Sequence, residues 1–204
     1  LAATWVGPYI NAGMTWLGSI VNSATDMAPL PMGIVVGMIV GVVLTLPISS
    51  AALCIMLGLS GLAGGAATAG CCAQMVGFAV ISYCDNGFSG LVSQGIGTSM
   101  LQVPNIMRNP RIWIAPTIAS GICGAVSSVA FRMTNIPAGA GMGTSGLVGQ
   151  ICMYSDMAPR FGSLPVIAAM LLVHVLLPIV ICLPIDRLLR RIGWVKNGDM
   201  TIRS

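Results

Sequence analysis

The residues with chemistry to offer are few, and most carry no charge. Gln94-Gly95-Ile96-Gly97-Thr98-Ser99 is echoed 46 residues later by Ala140-Gly141-Met142-Gly143-Thr144-Ser145. Each Gly-x-Gly-Thr-Ser sets exposed backbone amides beside two hydroxyls. Gln94 and Gln150 add side-chain amides with both donors and an acceptor, and Asn105 follows closely behind the first copy. Such a mixture suits a neutral, polyhydroxylated solute better than a charged one. His174 is the one histidine, set in the most apolar stretch of the chain with Pro178 one turn on. A titratable ring at that depth is either functional or bonded to a neighbouring helix. The substrate-binding candidates are thus Gln94, Thr98, Ser99, Asn105, Thr144, Ser145, Gln150 and His174.

Other chemistries find little footing. There is no glutamate, no cysteine placed beside a base, and no phosphate-cradling P-loop, so no catalytic residue is assigned. Any phosphate transfer belongs to another subunit. Gly141 to Gly146 fits G-x-G-x-x-G, but a dinucleotide site needs a preceding strand and an acid about 20 residues on, and Asp156 comes too early. The seven cysteines form no C-x-x-C pair and Cys71 adjoins Cys72, which suits free thiols used as small apolar packing residues. No metal or cofactor is expected. Asp85-Asn86-Gly87 reads as a turn. Arg108 and Arg111 either set topology or contact a phosphate or a partner.

The elements that hold these residues must sit in lipid. Only 7% of the 204 residues are charged, against about a quarter in a soluble domain. Met27 to Cys84 is a run of 58 residues without one charge. Leu164 to Ile185 holds fourteen Leu, Ile or Val, worth on the order of −6 kcal/mol of insertion free energy, enough to absorb His174. The fold class is therefore all-α, a polytopic transmembrane helix bundle. Arg187, Arg190, Arg191, Lys196 and Arg203 make residues 186–204 a basic tail. Without aromatic platforms or a basic groove it is a cytoplasmic anchor and not a nucleic-acid site.

Along the chain, residues 8–23 place Asn11, Thr15 and Ser19 on one helical stripe, either lining a polar interior or lying on the surface, with Trp5 and Trp16 as interface markers. Residues 31–48 are a span with Gly33, Gly37 and Gly41 as a smooth contact stripe, ended or kinked by Pro47. Residues 50–84 are too long for one span and predict either two helices broken near Gly64-Gly65 or one long tilted helix. Residues 112–131 form a span with Ser120, Gly124 and Ser128 as a second stripe. Residues 88–103 and 135–150 are too glycine-rich to span and predict two re-entrant or broken-helix segments, tolerated at membrane depth only against protein or a water-filled cavity. Paired interrupted segments of this kind point to a transporter site. If Arg108 and Arg111 are cytoplasmic, residues 112–131 lead out and 164–185 lead back, which puts the tail inside as well. The chain starts at Leu1 with nothing resembling a signal peptide, so a fragment lacking its N-terminal part is expected.

Residues 94–124, QGIGTSMLQVPNIMRNPRIWIAPTIASGICG, followed by NIPAGAGMGTSGLVGQ at 135–150, resemble the enzyme IIC-type family of the phosphotransferase system, in particular its PfoR-like members, which include a regulator of perfringolysin. The matching stretch is roughly residues 85–152, and the flanking spans fit the family in character. Members are longer at the N-terminus, in keeping with a fragment. The resemblance implies one EIIC-like domain over residues 1–204 in a bacterial inner membrane, binding and translocating a sugar. Phosphate would be relayed by separate IIA and IIB subunits, and lipid and a second copy of the chain are the other partners. Better-characterised members place a glutamate and a histidine at the sugar, whereas here glutamate is absent and the histidine lies in a span. A membrane sensor or regulator without phosphorylation-coupled transport is the alternative. An ion channel is less favoured because no acidic ring suggests a filter.

Overall fold

The computed structural model describes residues 2–202, with side chains from residue 8 onward; the side chain of Trp5 and all of Arg203 lie outside the described residues. Helix α1 spans Ala2–Met27, α2 Pro29–Thr45, α3 Ser50–Leu57, α4 Gly61–Ile81, α5 Tyr83–Val92, α6 Val103–Arg108, α7 Ile114–Val129, α8 Pro137–Ala140, α9 Val148–Phe161, α10 Ser163–Met170 and α11 Leu177–Arg191. No strand occurs among the described residues. Gly61–Ile81, Pro110–Val129 and Ser163–Arg191 are long and apolar enough to cross a membrane, and α2 is a shorter apolar helix.

Helix α4 is the axis, buried along almost its whole length. A helix enclosed on every side must be thin, and GLAGGAATAGCCAQMVGFAVI is built mostly from Gly, Ala and Cys. The two small-residue stripes face each other across the α2–α7 contact and meet α4 there. A Cβ at Gly124 would lie 2.3 Å from the Gly33 carbonyl oxygen, one at Gly37 2.7 Å from that of Ser120, and one at Gly70 2.1 Å from that of Gly37. The backbones approach as closely as backbones can, which is how helices associate where lipid removes the hydrophobic drive. Ser120 donates to the Gly70 carbonyl at 2.9 Å and Ser128 to that of Pro29 at 2.8 Å, so the hydroxyls in the seam are satisfied across it.

The 50–84 segment breaks earlier than the sequence predicts. Helix α3 stops at Gly58, which takes the left-handed conformation at φ 63°, and α4 starts at Gly61. Gly64 and Gly65 lie inside α4 because the backbone of residues 133–135 runs against them; a Cβ on Gly65 would be 1.9 Å from the Met133 carbonyl oxygen. The expected turn at Asp85-Asn86-Gly87 is helix instead, part of α5, with a kink at Gly87 (φ 59°). On α1, Asn11, Thr15 and Ser19 point outward, and Thr15 and Ser19 donate to carbonyls one turn back on their own helix. All seven cysteines are free and five are buried.

The two glycine-rich segments are re-entrant hairpins that enter from opposite ends. Residues 83–108 leave the end of the bundle where α4 stops and return to it: Asp85 at their start and Asn105 near their finish both bond the C-terminal tail. Residues 134–161 leave and return at the other end, where Asn135 pairs with Gly61 and Thr134 donates to the Asp156 carboxylate. Each hairpin is followed by a full span, α7 after the first and the continuous Ser163–Arg191 helix after the second, and these spans run in opposite senses. The order is that of an inverted repeat.

Candidate functional site

The hairpin tips meet beside the middle of α4. Gly143 presses on Cys71, with a Cβ there only 2.9 Å from the Cys71 carbonyl carbon, and its φ of 54° suits glycine alone. One residue on, the Thr144 hydroxyl donates to the Gly95 carbonyl of the opposing hairpin. Asn135 sets the second hairpin's width, donating to Thr68 Oγ1 at 2.8 Å and to the Gly149 carbonyl at 3.1 Å. The Gly-x-Gly-Thr-Ser echo thus becomes contact between the two copies.

Two π-turns flank this meeting point. Residues 93–97 and 171–176 wind with the wider i to i+5 pattern, and they carry Gln94 and His174 respectively. A π-turn disturbs regular helix bonding and is found frequently at functional sites. The second lies within a span and pushes the buried His174 ring toward α9.

Between α9, the second hairpin tip and residues 167–175 lies a pocket of about 210 Å³, lined by Thr144, Leu147, Gln150, Ile167, Met170, Leu171, His174 and Val175. A second, apolar lobe of about 280 Å³ shares Thr144, Leu147 and Val175 with it and reaches Gly95 and Ile96 of the first hairpin. Together the lobes fall in the roughly 300–1,000 Å³ range of ligand pockets, which are mostly apolar with a few placed polar groups. Gln150 Nε2 donates to the Cys72 sulfur at 3.2 Å and lies 3.4 Å from His174 Nδ1. His174 Nε2 and Gln150 Oε1 are both buried and, among the described residues, without a hydrogen-bond partner.

The other candidates fall elsewhere. Gln94 is fully buried but spent on the first hairpin, donating to Ser82 Oγ at 2.7 Å and to the Gly90 carbonyl at 3.1 Å. Gln102 donates to Gln94 Oε1 at 2.9 Å, and Asn105 donates to Gln102 Oε1 at 2.9 Å, closing a chain of amides. Ser99 pairs with Thr45 Oγ1 at 2.9 Å. Thr98 accepts from the Met100 amide and caps a short 3₁₀ turn, and Ser145 is half-buried at the second tip. Thr144, Gln150 and His174 are therefore brought together at the pocket, and Gln94, Ser99 and Asn105 within the first hairpin's framework. Gln102 and Gln74 were not singled out by sequence. Gln74 Oε1 accepts from Trp113 Nε1 at 3.1 Å and from Thr45 at 3.4 Å. Its signal was available, since it is the one side-chain amide in the 58-residue uncharged run.

No curated protein and no solved structure matches this sequence. The family described as "Phosphotransferase system, EIIC" matches residues 1–202, very nearly the whole chain. Opposed re-entrant hairpins, apolar spans and a profile covering the chain end to end agree: this chain belongs to the EIIC family and is a membrane component of a phosphotransferase-system sugar transporter.

Proposed function

We propose that the chain binds and translocates a sugar, and that the sugar sits in the pocket where the two hairpins meet, against Thr144, Gln150 and His174. The observation that carries this reading is that Thr144, Gln150 and His174, from separate elements, line one cavity, with His174 Nε2 and Gln150 Oε1 buried in its wall and, among the described residues, without a hydrogen-bond partner. Burying a polar group without a bond costs about 1–3 kcal/mol, which a ligand hydroxyl reaching either atom would recover. No Lys, Arg or Asp lines the pocket, so the solute is neutral at the point of contact. Gln94, Thr98, Ser99, Asn105 and Ser145 shape the hairpins and take part in binding through them.

In this reading residues 1–204 form one EIIC-like domain in a bacterial inner membrane, with the basic tail in the cytoplasm and IIA and IIB as separate proteins. A homodimer and a place among the PfoR-like members complete the proposal. The missing glutamate favours one alternative, a sensor of sugar or sugar phosphate that reports to cytoplasmic partners without coupled transport. The test is the thermal stability of the purified protein against a panel of sugars and sugar phosphates, with His174→Ala and Gln150→Ala beside it. A rise in Tm with one free sugar, lost in both variants, supports the permease. A rise with a sugar phosphate alone supports the sensor. No rise with any member, from folded protein, removes the claim that this pocket takes a sugar.

A further inference from the structure

The C-terminal tail is held in an unusual way. After α11 ends at Arg191, residues 192–202 have no regular structure of their own, only turns and bends, and most of residues 191–198 are exposed. Yet its backbone is bonded repeatedly by side chains of the first hairpin. Asp85 accepts from the Gly198 amide at 3.0 Å and from the Met200 amide at 3.3 Å. Asn86 donates to the Met200 carbonyl at 2.8 Å and accepts from the Ile202 amide at 2.7 Å. Gln102 and Asn105 donate to the carbonyls of Met200 and Thr201 at 3.0 and 3.1 Å. Asn109, just past the hairpin, donates to the Trp194 carbonyl at 2.9 Å. Among the described residues of the tail, Val195 and Met200 are the buried anchors. A segment outside the helices, with two apolar anchors and the rest of its hold from hydrogen bonds, opens more readily than the bundle beneath it.

The same side chains lead inward. Gln102 Nε2 bonds both the Met200 carbonyl and Gln94 Oε1 at 2.9 Å. Gln94 adjoins Gly95, whose carbonyl receives the Thr144 hydroxyl at the pocket. Two hydrogen bonds, one peptide link and a third hydrogen bond therefore connect the tail to the wall of the site described above.

We infer that residues 194–202 are a detachable latch, with residues 85–109 as its receptor, and that seating the latch holds the first hairpin closed over the pocket. When the tail leaves, Gln102 loses one of its two acceptors and the hairpin is held at its base by fewer partners. Its tip can then draw back from Thr144, opening the pocket toward the tail's end of the bundle. Access at that end is thus set by a peptide segment that a cytoplasmic protein could grip. This goes beyond sugar binding and stands or falls without it.

The test uses the full chain in lipid nanodiscs with no sugar present, treated with N-ethylmaleimide and mapped by mass spectrometry, alongside hydrogen exchange of the tail. Cys72, touched by Gln150, reports the pocket; buried Cys123 on α7 reports the intact bundle. Two variants release the latch from either side. D85A/N86A removes receptor groups. G198P acts on the tail alone, since Gly198 has φ 91° and donates to Asp85, and proline can do neither. The expected result in both is loss of protection at Met200 and Ile202, and in D85A/N86A at Gly198 as well, with at least a tenfold rise in Cys72 modification, Cys123 unchanged. Tail release without a change at Cys72 overturns the coupling. A tail that stays protected in both variants overturns the latch. A parallel rise at Cys123 means general loosening and overturns the assignment as well.

Discussion

At the residue scale, what separates the polar side chains is whether the protein uses all of their capacity. Gln94 is used in full, so Gln94→Ala strands Ser82 and Gln102 in a buried place. Its expected effect is a stability loss of about 1–3 kcal/mol, read as a lower Tm with or without ligand. Gln150 and His174 keep atoms in reserve, so His174→Ala should abolish the Tm shift produced by a bound sugar, beside a lower unliganded Tm from the cavity that the buried ring leaves. The sequence made all of these residues visible as polar groups in an apolar setting. It could not sort them, because sorting depends on distances such as the 2.9 Å between Gln102 and Gln94, across a bend that no periodicity describes. His174 and Gln150 lie 24 residues apart on different elements, and only the fold gives them a common cavity.

Element by element, the glycines say most, and their meaning differs by position. Gly70→Val would drive side-chain atoms into the Gly37 carbonyl, which sits 2.1 Å from where Cβ would be. Overpacking of this kind costs typically 1–3 kcal/mol, and a backbone obstacle with no flexible end lies at the upper side of that range. Gly70→Val should therefore yield little folded protein in detergent by size-exclusion chromatography. Gly13→Ala, on exposed α1 with nothing within 4 Å, should be neutral or slightly stabilising in the same assay. Both stripes were legible because a repeat of four is a helical signature. The break in 50–84 was misplaced because glycine breaks a helix or lets another chain come close, and composition alone does not say which. Gly58 does the first and Gly64 and Gly65 the second.

For the whole molecule, the opposed hairpins make orientation testable. The Arg108–Arg111 segment and the tail lie at one end, where Asn109 bonds Trp194 and the Arg111 guanidinium stacks 5.0 Å over the Trp194 ring. The exposed Cys84 is at that end and Phe161 at the other. With the tail in the cytoplasm, a membrane-impermeant maleimide should modify Cys84 only in inside-out vesicles, and a Phe161→Cys variant at position 161 only in right-side-out vesicles; the reverse pattern inverts the proposed orientation. Charge bias in the sequence suggested that loop and tail share a side, but the hairpins' opposite directions of entry were not legible, since two near-identical motifs look the same from either end.

The central helix also bears on how the protein is made. Because α4 is enclosed by its neighbours, it has been freed from carrying large apolar side chains. It holds five Leu, Ile, Val or Phe where Leu164 to Ile185 holds fourteen Leu, Ile or Val. By the same insertion scale those five contribute on the order of −2 kcal/mol, with Gln74 working against them. The axis of the finished bundle is thus the span least able to commit itself to lipid as it emerges from the ribosome. Its insertion therefore leans on α2, made before it, and α7, made after it, the two helices it packs against in the finished bundle.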